Sequence, residues 1–255
     1  MKALLRFAIF LFFCIPGFAL AESHSDPTAG PAVVLNLNHA SRSDADKARD
    51  RHRRPQDTLA FFELKDDMRV IELFPGKGWY TKLLGPYLED KGELYVAIGT
   101  SDIESKFAEY GLSKVAPTGT IENFSKTDQP GYIFSIDSID LKQTEVDLVL
   151  TFRNAHNLTS EARGLLNKAV FDVLKPGGIY GVIDHTKRHM EAFNAVTWRR
   201  TDPVQIIKEA VAAGFEFGDY LDIHARPEDG LEFDSKHESL VNETDRYTLK
   251  FRKPQ

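Results

Sequence analysis

The chain has 255 residues, 42% of them apolar and 27% charged, with a formal net charge of −6. That length suffices for one domain with a full hydrophobic core, and an acidic domain is a poor binder of nucleic acid or anionic membrane. The one cysteine, Cys14, excludes a disulfide framework, and its place in an apolar leader excludes thiol catalysis and thiolate metal sites from everything after it.

In chain order, the N-terminus reads "MKALLRFAIFLFFCIPGFALAESHS". Lys2 and Arg6 give a positive start, Phe7 to Phe18 an apolar run, and Ala19-Leu20-Ala21 a small-x-small site. That order predicts a secretory signal peptide over residues 1–21, cleaved between Ala21 and Glu22. Phe13 ahead of Cys14 is not the small residue that lipoprotein processing prefers. The run is short for a membrane span, and no later stretch approaches the roughly 20 apolar residues a span requires. The expected location is therefore the periplasm or the exterior, with a retained N-terminal anchor as the alternative. Cleavage removes two cations and leaves a cysteine-free, more acidic chain.

Residues 22–38 are polar and small and read as a flexible lead-in; residues 39–255 read as a single domain. "SRSDADKARDRHRRPQDTLAFFEL" predicts a charged helix broken at Pro55, then a second helix with Leu59, Phe61, Phe62 and Leu64 available to pack. Strand and helix signals then alternate. "RVIELF" is an apolar strand and "GWYTKLLGPYL" a helix; "GELYVAIG" is a second strand and "IESKFAEYGL" a second such helix. "GTIENF" is expected as a short third strand, and "EVDLVLTFRN" as a fourth, apolar almost throughout as a sheet covered on both faces requires. "TSEARGLLNKAVFDVL" is a helix ended by "KPGG", and "IYGVIDH" a fifth strand. "DPVQIIKEAVAAGF" is a helix with Asp202 as N-cap, Pro203 at its first position and Gly214 at its stop. "EFGDYLDI" and "RYTLKFRK" close the chain as two strands with no helix between them, hence an antiparallel pair. The alternation predicts a mostly parallel sheet with helices on both faces.

Ligands of such sheets sit beyond the carboxyl ends of the strands, which directs attention to 72–80, 98–102, 152–157 and 183–202. Gly76 and Gly78 let backbone approach a ligand, ahead of a helix N-terminus near Trp79. Thr81 at the third glycine position breaks the dinucleotide pattern, so a purely structural turn stays open. Trp79 and Tyr80 are expected as part core and part pocket wall. Arg153, Asn154 and His156 follow the fourth strand, as substrate ligands or as a solvated loop with Asn154 making a turn. Asp184 and His185 end the fifth; His185 suits a substrate-facing acid or base because imidazole titrates near neutrality, and an ordinary hydrogen-bonded histidine is the alternative. With His189, the same two residues would form a metal set. Arg200 would pair with Asp202 or reach an anionic ligand. "RDRHRRP" reads as a solvated helix face, or as a phosphate or carboxylate clamp through Arg53 or Arg54. The chain contains no G-x-S-x-G elbow, no Walker lysine motif and no H-E-x-x-H.

"VIELFPGKG" before a helix resembles the first motif of class I S-adenosylmethionine-dependent methyltransferases. "EVDLVLTFRN" resembles their fourth strand, and "LNKAVFDVLKPGGIYGVID" their helix, turn and fifth strand. "ELFPGKGWYT" combined with "RNAHN" and "DHT" resembles one branch, exported predicted methyltransferases. The resemblance covers residues 50–254. It implies a Rossmann-like α/β fold, a doubly wound, mostly parallel seven-stranded sheet with an antiparallel last strand. It also implies S-adenosylmethionine as cofactor and a small molecule as substrate. By the same resemblance Glu72 contacts the methionine part of the cofactor, and Phe74, Gly76, Gly78, Trp79 and Tyr80 form its turn. Phe74 stands where the family's first glycine is usual, implying a differently shaped turn. Gly99 stands where the family has a ribose-binding carboxylate, leaving Asp102 or Ser101 to substitute. His185 and Asp184 are the expected catalytic pair, with Arg153, Asn154, His156 and Arg200 on the acceptor side. Two alternatives remain: a binding protein that kept the fold, and a metal-assisted enzyme using residues 184–189.

Overall fold

The apolar runs pair into one sheet in the computed structural model, which describes residues 33–255. The expected signal peptide, its cleavage point and most of the lead-in lie outside the described residues. The strands of the sheet are β1 (Arg69–Leu73), β2 (Glu93–Ala97), β3 (Ala116–Thr118), β4 (Val146–Phe152), β5 (Leu174–His185), β6 (Glu216–Tyr220) and β7 (Arg246–Arg252). Their spatial order is β6-β7-β5-β4-β1-β2-β3. Strands β3, β2, β1, β4 and β5 run parallel, and β7 lies antiparallel between β5 and β6. This is the doubly wound sheet with an antiparallel last strand that the sequence predicts. The strand order reverses between β1 and β4, which makes their carboxyl ends the switch point where ligands of such sheets bind.

The helices are α1 (Asp44–Lys47), α2 (Asp50–Arg53), α3 (Pro55–Phe61), α4 (Thr81–Leu88), α5 (Ser101–Glu104), α6 (Ser160–Val173) and α7 (Pro203–Ala212). On one face Leu59, Phe62, Leu83 and Leu84 pack against Val70, Leu148, Leu150 and Ile183. On the other, Leu166, Val170, Ile206 and Phe215 pack against Ile71, Val149 and Val182. Burying each such side chain contributes roughly 1.5–3 kcal/mol, which is why β4, covered on both sides, is apolar nearly throughout. Thr159 caps α6 by accepting from the Ala162 N–H, and Asp202 caps α7 by accepting from that of Val204. Pro203 sits in the first turn of α7, and Gly214, with φ of +108°, turns the chain after it. No described helix is long and apolar enough to cross a membrane.

Three elements differ from the sequence reading. The third strand of the sheet is Ala116–Thr118, while Thr120–Glu122 pairs with Ser138–Asp140 in a separate two-stranded ladder. Gly119, at φ of +81°, turns the chain between them, and Pro117, lacking a donor, suits the sheet edge. The helix expected over 103–112 shortens to Ser101–Glu104, because only Ile103 and Leu112 are buried and the residues between are mostly exposed. Too little packing holds a longer helix. The charged helix before Pro55 divides into α1 and α2, with Arg54 at φ of +40° leading into α3.

Candidate active site

The turn after β1 has three alternate positions in the left-handed region: Phe74 (φ +51°), Gly76 (+55°) and Gly78 (+73°). Glycine takes that conformation freely; at Phe74 it costs about 1–2 kcal/mol, a strain that tertiary packing holds in place. Gly78 lies against Ile103, which would be 2.7 Å at its Cγ1 from an added Cβ. Gly76 and Gly99, in contrast, face open space, with no atom within 4 Å of where a Cβ would stand. Gly99 lies two residues past the end of β2 in the left-handed region at φ of +62°, and the exposed Asp102 follows in α5.

Glu72 points into the fold at the end of β1 and is 2% exposed. Its Oε2 accepts a 2.5 Å hydrogen bond from the Thr81 hydroxyl, the side chain at the third glycine position. Burial pushes the carboxyl up to about 7, against the opposing pull of the Thr81 hydrogen bond and the Arg53 charge. Trp79 and Tyr80 are both buried: the Trp79 indole donates to the Asp46 carbonyl, and Tyr80 stacks on Phe152. Arg53 of α2 lies 4.3 Å over the Trp79 ring, so the N-terminal helices fold back across this edge of the sheet.

After β4 the chain turns at Arg153, whose φ is +63° and whose N–H donates to the Ile183 carbonyl of β5. Asn154 spends its amide on the Phe152 and Phe74 carbonyls, at 3.0 and 3.4 Å. It joins this loop to the glycine turn and has no donor left for a substrate. His156 then reaches Asp184 at the end of β5, its Nδ1 2.7 Å from Oδ1. Asp184 is fully buried and also accepts from the backbone N–H groups of His156 and His185, at 2.9 and 2.7 Å. Three donors occupy the carboxylate, which leaves it to orient His156 rather than to meet a substrate. Since His156 donates through Nδ1, its Nε2 carries the lone pair in the neutral ring. His185 bonds Thr244 through Nδ1 at 2.9 Å, and burial, then the His156 beside it, hold its imidazole well below the ordinary range, hence neutral.

Both histidines line a cavity of about 560 Å³ beyond β4 and β5, together with Arg53, Arg153, Trp198 and Arg246. A second cavity of about 470 Å³ meets it at His156 and Trp198. Arg246 arrives because β7 is antiparallel to β5: the first residue of β7 pairs with His185, the last of β5. The sequence reading did not find Arg246, Thr244, Trp198 or the Glu72–Thr81 contact. The only local sign was Thr81 itself, a hydrogen-bonding side chain where a glycine was expected.

Arg200 is not at the disposal of a ligand. It is 3% exposed and donates to both Asp229 oxygens and to the Thr186 and Phe233 carbonyls, so Asp229 rather than Asp202 is its partner. Asp202 takes His189 Nδ1 at 2.8 Å. Asp184, His185 and His189 consequently do not converge, and among the described residues no three His, Cys, Asp or Glu side chains group as a metal site. Of the two clamp candidates, Arg53 enters the cavity and Arg54 pairs outside it with Asp57.

No family model matches the sequence, and no curated protein matches it. Solved structures match in fold. An S-adenosylmethionine-dependent methyltransferase from Aquifex aeolicus superposes with a TM-score of 0.56 at 18% identity, over 80% of this chain and 92% of that one. A 1,6-didemethyltoxoflavin N1-methyltransferase from Burkholderia thailandensis, holding its substrate and S-adenosylhomocysteine, gives 0.52 at 14%, over 83% and 82%. The cyclase SpnF gives 0.51 at 20%, over 82% and 81%. At these identities the likeness establishes the Rossmann-like methyltransferase fold, and a fold carries more than one reaction.

Proposed function

We propose that the protein transfers a methyl group from S-adenosylmethionine to a small molecule held in the cavity beyond β4 and β5. The observation that carries this reading is the adjacency of two features at the carboxyl ends of neighbouring strands: the left-handed turn beside Glu72, and a cavity presenting the Asp184-oriented His156. The residues present fit the cofactor. Gly76 and Gly99 leave open space, and Glu72 has one oxygen, Oε1, without a partner among the described residues to accept an ammonium. Arg53, whose charge lowers the Glu72 carboxyl and is thus close to it, suits the cofactor's carboxylate. Asp102 stands in for the missing ribose acid.

The cofactor supplies a methyl group activated on a sulfonium, so the chain has to align the acceptor and take its proton. Asp184 fixes the His156 ring, and His156 Nε2 accepts that proton at the cavity wall. His185, kept neutral by burial, lies with its ring centre 5.8 Å from that of His156 and lines the same space. Asp184 acts as a positioning residue.

A second reading, a binding protein without methyl transfer, is favoured by Gly99, which brings no carboxylate to the ribose position. Titration with S-adenosylmethionine and S-adenosylhomocysteine by calorimetry decides between them. Saturable binding is expected, and no heat at about 1 mM ligand would remove the methyl-transfer reading. The N-terminal sequence supports an exported location, where cofactor must then be supplied.

A further inference from the structure

The cavity carries charge that the protein does not balance. Arg53, Arg153 and Arg246 all line it, and among the described residues none has a carboxylate within ion-pair distance. The acids nearby are already engaged: Asp184 with His156, Glu243 with His52 and Arg226, and Asp234 with Arg199. Arg53 and Arg246 are each 6% exposed. The Arg53 guanidinium has no hydrogen-bond acceptor among the described residues and lies against Trp79. The guanidinium of Arg246 donates only to the Thr244 and His52 carbonyls, at 3.3 and 2.9 Å. Burial first, and Arg153 second, drive both guanidinium groups below their ordinary range. Arginine keeps its proton in proteins, so the unbalanced charge persists. Buried charges are normally paired, and a chain of net charge −6 has no general excess of cations to explain three arginines without a carboxylate partner in one cavity.

We propose that the cavity binds the anionic group of a small molecule, a carboxylate or a phosphate, between Arg153 and Arg246 beside His156. Calling that molecule the methyl acceptor rests on the preceding reading; the anion site does not. Tyr132 and Trp198, with ring centres 6.0 Å apart and planes tilted by 49°, offer an aromatic wall to the remainder of the ligand.

The test is calorimetric titration of the purified protein with inorganic phosphate and, separately, with benzoate, at fixed ionic strength. Saturable binding of at least one is expected, and the tighter of the two names the class. Arg153→Gln should weaken it at least about tenfold while raising the melting temperature of the ligand-free protein, since repulsion is relieved. Arg153→Lys should retain measurable binding, and Arg54→Gln, an equal charge change outside the cavity, should leave it unaltered. If Arg153→Gln does not fold, Arg246→Gln carries the same comparison. No saturable binding of either anion would overturn the proposal, as would unchanged affinity in Arg153→Gln and Arg246→Gln. So would displacement of the anion by S-adenosylhomocysteine but not by methylthioadenosine, because the site would then be the cofactor carboxylate's. Anion binding without S-adenosylhomocysteine binding keeps this site and removes methyl transfer; the reverse outcome removes this site alone.

Discussion

His156 Nδ1 lies 2.7 Å from Asp184 Oδ1, although the residues are 28 apart in sequence. The parallel pairing of β4 with β5 places their two following loops side by side, and Asp184 closes the contact from the end of β5. On the methyl-transfer reading proposed above, His156→Ala should lower the rate by about 100- to 10,000-fold with S-adenosylhomocysteine affinity nearly unchanged. Asp184→Asn should lower the rate comparably and also reduce stability by about 1–3 kcal/mol, because an amide cannot accept from all three donors. Steady-state rates beside denaturant titrations read both effects; a parallel loss of cofactor affinity would place the pair elsewhere.

Glu72 gives a pH signature of its own. Its folded carboxyl stands at about 7 against an ordinary 4.5, burial being the main cause. A raised value means that the folded state holds the proton more firmly, so stability is full below about pH 4.5 and is lost as pH rises through about 7. The difference amounts to roughly 3 kcal/mol. Glu72→Gln stays neutral, so its stability relative to the parent should rise between pH 4.5 and about 7 in urea titrations, while S-adenosylmethionine binding is lost.

His224 acts in the opposite direction. It bonds Thr248 at 2.7 Å and the Arg53 carbonyl at 3.0 Å, and burial, with the Arg246 charge second, pushes its imidazole from 6.5 to about 4. Its contribution is present above about pH 6.5 and is lost as pH falls through about 4, again roughly 3 kcal/mol. His224→Gln should flatten this acid limb in melting temperatures recorded against pH, leaving the Glu72 slope in place.

The two turn glycines should respond differently to alanine. Both carry positive φ, which costs about 1–2 kcal/mol in any L-residue with a side chain, but only at Gly78 does the new methyl meet Ile103. Gly78→Ala should therefore destabilise more than Gly76→Ala. Adding Ile103→Ala to Gly78→Ala should recover part of the excess as a coupling energy in a double-mutant cycle of thermal unfolding. Gly76→Ala, facing open space, should act mainly on cofactor affinity.

Much of the architecture was legible because its cause is local. Largely apolar runs over 70–73 and 146–152, interrupted only at Glu72, Asp147 and Thr151, point to a sheet covered on both faces, and the capping residues Thr159 and Asp202 mark their helices directly. Where the cause was packing, the reading missed. The helix expected through 103–112 lacked buried anchors, and the third strand slipped upstream of Gly119 to the free edge beside β2. Glu72, Asp184 and His185 were placed at strand ends by their spacing alone. Their roles were not, since whether a carboxylate meets a substrate or is consumed by three N–H groups depends on neighbours remote in sequence.

The sequence by itself determined most of the order of strands and helices, and the glycine turn beside an acid. Only the tertiary structure decided which cations share the cavity. Arg53 comes from a helix folded back over Trp79, and Arg246 arrives because β7 runs against β5 and begins where β5 ends. The hydrophobic effect reads periodicity within a segment; strand direction and pairing, settled only when the whole sheet closes, choose which polar ends meet.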